Sequence, residues 1–386
     1  MSSKSAFTNL SGRGRGVPAH HGVFPVKTVR AEPKGRLIAL SDIHGNAVLL
    51  ERLLQRIDLR GEDTLVIIGD LIERGKESLR TVRMVMDIAK RPNTYVLMGN
   101  MDAHKTWEIL TDTDETAAGL WNFIRMIGTS LFAEMCGELG IKLQGAEDLK
   151  AAKEKVRGAF SAELDFLRTR PTILETPNWT FVHGGLPLAE TERLEGSEAF
   201  ECMKFDDFVH DGPVCRKNTA VGHYPTNLYW DGEVQLNPYW SASKKVLSID
   251  GGCGLRTDCQ LNAVFLKPDG SFTHIYEDEF PKAVALDKQE AKAPAIRFRW
   301  PNSRAVAVEK SEGFALMEQY DTGLRTLVPD IFCGEDENGC WVNDFSDAWL
   351  HVVPGDRMSI IARAGVGYYV KKGGVSGWYF GRIDPL

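Results

Sequence analysis

Six polar residues stand just after short apolar runs, and together they have the chemistry of a metal centre. Asp42 and His44 follow Leu37-Ile38-Ala39-Leu40. Asp70 follows Thr64-Leu65-Val66-Ile67-Ile68, and Asn100 follows Thr94-Tyr95-Val96-Leu97-Met98. His183 follows Trp179-Thr180-Phe181-Val182, and His223 follows Thr219-Ala220-Val221. In Asp42-Ile43-His44 a carboxylate and an imidazole leave an extended chain on the same side, because side chains alternate with a period of two. Mixed oxygen and imidazole donors suit two divalent transition-metal ions such as Mn, Fe or Zn, whereas Mg and Ca favour oxygen alone. One Asp shared between two ions would set them about 3.5–4 Å apart, the geometry of hydrolytic phosphoryl transfer. Glycine adjoins His44, Asp70, Asn100, His183 and His223, and glycine permits the close approach that such loops need.

The apolar runs read as strands and the stretches between them as helices. Ala47 to Ile57 is amphipathic, and Glu77 to Lys90 carries Leu79, Val82, Val85, Met86 and Ala89 at helical spacing. Strands separated this way imply βαβ units and a largely parallel sheet. Ligands of such sheets bind beyond the carboxyl ends of the strands, where all six residues fall. From His104 to Arg170 helical spacing replaces the strand signal, with Trp107, Ile109, Leu120, Trp121 and Phe123 first and a polar helix over Ala146 to Leu167 after them. A helical insertion over 104–170 is predicted. Val246 to Asp250 and Leu261 to Leu266 are expected to pair as a hairpin.

Ala283 to Pro294, rich in Ala, Lys and Glu, reads as a linker. Residues 295–386 hold short β-type runs at 305–308, 314–317, 349–353, 359–362, 367–370 and 377–380. They predict a small all-β module with a core of Trp341, Trp349, Tyr368, Tyr369, Trp378 and Tyr379. The fold class is therefore α/β, a helix-flanked sheet domain over 36–282 followed by the β module.

A chain of 386 residues is long for a single core, which favours two domains. A net charge of -7 excludes a nucleic-acid polymer as the main partner, since backbone binding needs clustered Lys and Arg. No run reaches the roughly 18 apolar residues of a membrane span. Residues 1–35 have basic residues but no apolar signal core, and their Ser11-Gly12-Arg13-Gly14-Arg15-Gly16 predicts a flexible leader. Seven cysteines without a Cys-x-x-Cys point to reduced thiols in a cytoplasmic protein.

Asp42-Ile43-His44-Gly45, Gly69-Asp70 with Arg74-Gly75, Gly99-Asn100, His183-Gly184-Gly185 and Gly222-His223 resemble, in order, the signature blocks of calcineurin-like metallophosphoesterases. The likeness covers about residues 36–266 and is nearest to the phosphoprotein phosphatase branch, which includes the diadenosine tetraphosphatases. It implies that Asp42 and His44 hold one metal, Asp70 bridges, and Asn100, His183 and His223 hold the other. A metal-activated hydroxide would attack phosphorus, with Arg74 clamping the phosphate beside Asn100. Asp250-Gly251-Gly252 resembles the strand–turn that closes the family's sheet, an architectural role. The C-terminal module loosely resembles SH3-like barrels, which implies a protein partner.

One position departs from the pattern. Where the family usually carries a proton-donating histidine after Gly-Asn, this chain has Met101. General acid catalysis is worth about 10²–10⁴-fold, so its loss weighs most on poor leaving groups such as serine. Asp102 and His104 are the nearby stand-ins. The family likeness implies a serine/threonine phosphoprotein phosphatase, while Met101 favours the alternative, a bis(5'-nucleosyl)-tetraphosphatase-like hydrolase of nucleotide or other small phosphorylated substrates. A phosphate-binding module of weakened turnover is the third expectation.

Overall fold

The computed structural model describes residues 24–365 and 367–386. They form two compact units: one reaches Pro225 and adds Pro238–Gly254 and Leu261–Glu277, and the other comprises Thr226–Asn237, Leu255–Gln260 and Asp278–Leu386. In chain order, the first elements are β1 (Thr28–Arg30), β2 (Leu37–Leu40), α1 (Ala47–Ile57), β3 (Thr64–Ile67), α2 (Ser78–Ile88) and β4 (Thr94–Val96). Five helices follow: α3 (Asn100–Leu110), α4 (Asp114–Ile127), α5 (Leu131–Glu138), α6 (Ala146–Ala159) and α7 (Ser161–Arg168). Next come β5 (Ile173–Glu175), β6 (Trp179–Val182), the short α8 (Phe200–Met203) and α9 (Phe208–Asp211), and β7 (Asn218–Val221). Then follow β8 (Val234–Gln235), β9 (Tyr239–Ser241), β10 (Val246–Ser248), β11 (Leu261–Leu266) and β12 (Phe272–Glu277).

The first unit is built on two sheets, ordered β1-β5-β6-β7-β10-β9 and β12-β11-β2-β3-β4. Within them β2, β3 and β4 run parallel, as do β6, β7 and β10. Every second residue of these strands enters a shared core: Leu37, Ala39, Val66, Leu97, Trp179, Phe181, Ala220, Leu247 and Val264. The residues between them are buried as well, Ile38, Leu40, Leu65, Ile67 and Val182 among them. Strands covered on both faces read as unbroken apolar runs, which is why the sequence marked them so clearly.

Several expectations need correction. Leu261 to Leu266 does not pair with the 246–250 run; as β11 it pairs antiparallel with β2 and β12. Both edges of β10 are already taken by β7 and β9. The expected leader lies outside the described residues only over 1–23. Its last part carries β1, which pairs with β5 from Thr28↔Ile173 to Arg30↔Glu175 and buries Val26 and Ala31. The polar helix over 146–167 is two helices, broken at Phe160 (φ -117, ψ 31), whose ring is buried. Finally, the 283–294 linker opens with β13 (Lys282–Ala285), whose alternate residues Ala283 and Ala285 are 1% exposed.

The second unit continues through β14 (Arg297–Phe298), β15 (Arg304–Ser311), β16 (Phe314–Gln319), β17 (Arg325–Pro329), β18 (Cys333–Asp336) and β19 (Gly339–Val342). It ends with β20 (Phe345–Ser346), β21 (Arg357–Ala364), β22 (Gly367–Lys372), β23 (Val375–Tyr379) and β24 (Ile383–Pro385). These make sheets β24-β13-β21-β22-β23-β8 and β17-β16-β15-β19-β18, and the pair β14-β20. Phe298, Phe332, Phe345, Tyr369 and Trp378 are buried together. The expected 349–353 strand makes only isolated bridges, at Trp349 and Val352, and Trp349 is exposed. Among the described residues no helix is long and apolar enough to cross a membrane, and none of the seven cysteines is in a disulfide.

Candidate metal centre

The carboxyl ends of β2, β3 and β4 deliver Asp42, His44, Asp70 and Asn100, and those of β6, β7 and β10 deliver His183, His223 and Asp250. Asp42, His44, Asp70, Arg74 and His223 all have positive φ, between 47 and 69. Side-chain-bearing residues take that left-handed conformation at a cost, and such strain clusters at functional sites. Backbone bonds lock the turns together: Asp42 N–H donates to Gly69 O (3.1 Å), His44 N–H to Asp70 O (3.0 Å) and Gly75 N–H to His44 O (2.9 Å). Two glycines are obligatory because the chains meet there. A Cβ at Gly99 would lie 2.2 Å from Asp70 Oδ1, and one at Gly222 would lie 2.1 Å from Asp42 Oδ2.

Two groups of ligating atoms form, Asp42–His44–Asp70 and Asp70–His183–His223, each lying within 4.8 Å of one another. His44 Nδ1 is 3.1 Å from Ile72 O, and His183 Nδ1 is 2.7 Å from Ile68 O. A carbonyl only accepts, so each Nδ1 carries a proton, and Nε2 is the nitrogen that each ring turns towards the site and could offer to a cation. His183 Nε2 then faces Asn100 Oδ1 (3.1 Å) and Asp70 Oδ1 (3.4 Å). His44 Nε2 faces Asp70 Oδ2 (3.6 Å) and Asp42 Oδ1 (3.9 Å). Carboxylate, amide and imidazole atoms that converge in this way, buried except at the half-buried Asn100, are the donor set of a cation site. Two such sets sharing Asp70 fit a pair of divalent ions.

The charges show the same crowding. Burial, then Asp250, pushes the Asp42 carboxyl well above its usual range, and burial takes Asp250 to about 7. Burial resists charge on His183 too, but Asp70 and Asp42 prevail and raise it to about 10. Asp70 stays far below the carboxylate range despite its burial, because His183 and His44 flank it. Burial takes His44 and His223 down to about 4. Divalent cations relieve such a cluster of desolvated carboxylates.

The two stand-ins for the missing acid are placed otherwise. Asp102, 1% exposed, accepts the N–H groups of Leu71 (2.9 Å) and Gly99 (3.1 Å) on its two oxygens. It staples two ligand-bearing turns, and burial, then Asp70, raises its carboxyl to about 7. His104 lies along α3, with Nε2 3.3 Å from Glu108 and its ring stacked on Trp107. Neither belongs to the two ligating groups. Met101 is buried, and its N–H donates to Asp70 Oδ1 (2.8 Å). Arg74 sits among Asp70, Glu73, Asp250 and Asp42, with its charge disfavoured chiefly by burial, and its buried Nε has no hydrogen-bond partner.

The structure adds residues that the motifs did not mark. Asp206 Oδ1 accepts from His223 Nε2 (2.8 Å) and from Lys204 Nζ (2.5 Å), which leaves His223 Nδ1 as the ligating nitrogen. Asp206 follows an irregular stretch with no periodic signal, so only the fold brings it to His223. A cavity of about 440 Å³ lined by Arg36, Trp179, Phe265 and Lys267 includes none of the residues predicted for the site.

Residues 35–249 match the family described as calcineurin-like phosphoesterase. A symmetrical bis(5'-nucleosyl)-tetraphosphatase of Dechloromonas aromatica is 29% identical over 265 residues, covering 68% of this chain and 81% of that protein. Its counterpart from Thioalkalivibrio sulfidiphilus is 28% identical over 254 residues, covering 62% and 72%. Among solved structures, a protein serine/threonine phosphatase from Saccharomyces cerevisiae is 11% identical, covering 66% of this chain and 85% of that one, with a TM-score of 0.42. The family match takes in more than half of the chain, with all six strand-end residues inside it, and the protein belongs to the calcineurin-like phosphoesterases, hydrolases of phosphoric ester bonds.

Proposed function

We propose that the protein cleaves phosphoanhydride bonds, with a dinucleoside polyphosphate as the substrate class. The observation that carries this choice is Met101. Its side chain cannot donate a proton, and the nearest replacement, Asp102, is engaged by two backbone N–H groups. Serine is a poor leaving group without an acid, whereas a nucleotide phosphate leaves readily. The names of the relatives in Dechloromonas and Thioalkalivibrio support the same substrate class.

Asp42, His44 and Asp70 would hold one divalent ion, and Asp70, Asn100, His183 and His223 the second. Bound there, such ions lower the pKa of water and offset charge on phosphoryl oxygens. The chain's own groups do the rest. The backbone carbonyls of Ile72 and Ile68 hold the His44 and His183 rings with Nε2 inward, and Asp206 fixes His223 from behind. Arg74 offers its unpartnered Nε–H to a phosphate oxygen, where a guanidinium binds in a planar fork.

A leaving-group series tests the proposal, comparing diadenosine tetraphosphate, an aryl phosphate and a phosphoserine peptide. The first two are expected to exceed the peptide in kcat/KM by about 100-fold or more, and Met101→His is expected to close much of that gap. A peptide turned over as fast as the tetraphosphate, or a peptide rate unmoved by Met101→His, would refute it.

A further inference from the structure

The loop carrying Arg74 is held from outside by the helical insertion. The N-terminus of α2 has no cap of its own: Glu77 makes no side-chain capping bond, and the first turn holds no acid. Glu134 of α5 fills that place from 55 residues away. Its Oε1 accepts Ser78 N–H (2.9 Å) and its Oε2 accepts Leu79 N–H (2.8 Å). The reverse bond is made as well. Glu73, fully buried, accepts Leu131 N–H at the start of α5 (3.1 Å). Each element thus supplies a side-chain carboxyl group to unpaired N–H groups at the other's helix N-terminus; burial raises Glu73 to about 8, so at neutral pH it accepts through a largely uncharged carboxyl.

Between these two caps lies Arg74. Glu73 N–H donates to Ser78 Oγ (3.0 Å), and Gly75 and Glu77 N–H donate to the carbonyls of His44 and Gly45. Glu73 and Arg74 are consecutive residues at φ 72 and 69, a conformation that persists only where the surroundings over-determine it. The metal-ligand turn fixes one side of the loop, and α5 fixes the other.

We propose that Glu134 is a positioning residue for Arg74, acting through this reciprocal exchange of carboxyl caps; the proposal rests on Arg74 being the phosphate clamp. The insertion then sets how well the site grips phosphate without touching substrate or metal.

Full-length, metal-loaded protein serves for the test, as Glu134→Ala, Arg74→Ala and the double variant. Three quantities are read: inhibition by inorganic phosphate, kcat and KM for p-nitrophenyl phosphate, and metal content. Glu134→Ala is expected to weaken phosphate inhibition and raise KM by about 10- to 100-fold, the effect of a displaced clamp. Metal content stays unchanged, and nothing is added in the Arg74→Ala background. Glu134→Gln keeps one acceptor oxygen, recovers part of the loss, and carries the comparison should Glu134→Ala fail to fold. Effects that multiply in the double variant, or phosphate binding lost together with metal, overturn the proposal. If Arg74→Ala weakens phosphate binding and Glu134→Ala does not, the coupling alone is wrong. If Arg74→Ala itself changes nothing, the clamp assignment falls, and the proposal with it.

Discussion

At the scale of single residues, Asp70 is the group on which the centre depends. It stands in both ligating groups, accepts Met101 N–H, and faces the Nε2 atoms of His44 and His183. Asp70→Asn keeps the shape and removes the charge that both ions would share. Metal content is expected to fall from nearly two ions per chain to one or fewer, measured by plasma emission. Activity should fall by more than about 100-fold, the upper end of what losing even an outer-shell partner of a metal costs. A variant that retains both ions would show that Asp70 does not bridge. These residues were legible because each closely follows an apolar run, and all but Asp42 stand beside glycine. Glu134 and Asp206 were not, because nothing local links Glu134 to Ser78 or Asp206 to His223.

At the scale of elements, helices and parallel strands could be read because their apolar residues repeat within the segment itself. Pairing partners could not. The 261–266 run was correctly seen as a strand and wrongly paired, since its neighbours β2 and β12 are settled by the fold. The register of β2 on β3 is pinned by a polar contact at their starts. Asp63 accepts Arg36 Nε and Nη2 (3.1 and 2.5 Å on Oδ2), and the N–H groups of Arg36 and Arg60 (3.1 and 2.8 Å). Burial opposes charge on Asp63, but these bonds prevail and bring its pKa from 3.8 to about 2. The folded value lies below the unfolded one, so the stabilisation is complete above about pH 4 and is lost as pH falls towards 2. Asp63→Asn is expected to cost about 1–2 kcal/mol at pH 7, discounted because Arg36 is partly exposed to water. Denaturant titrations of the two proteins should converge near pH 2. A difference that persists there would mean that the contact acts through shape alone.

At the scale of the whole molecule, the sequence suggested a β module that begins after a linker and can be removed. The compact units are drawn differently, since 226–237 and 255–260 group with 278–386. In that unit β8 pairs with β23, Arg297 donates to the carbonyls of Asn227 and Trp230 (2.9 and 2.8 Å), and Ser376 donates to Asp258 (2.6 Å). Arg256, 5% exposed, is paired with both Asp258 and Asp344 (2.5 Å each). Truncation after Glu277 would strip Asp344 from a buried guanidinium, a kind of break that costs about 3–5 kcal/mol, and would leave β8 an unpaired edge. The two orphaned segments directly follow the turns that carry His223 and Gly254, and a Cβ at Gly254 would lie 2.6 Å from the Arg74 side chain. A protein ending at 277 is therefore expected to lose amide protection over 226–237 and 255–260 in hydrogen exchange, while β2, β3 and β4 stay protected. Its turnover of p-nitrophenyl phosphate should fall along with that protection. Full protection and full turnover in the truncated chain would show that these segments need nothing from 278–386.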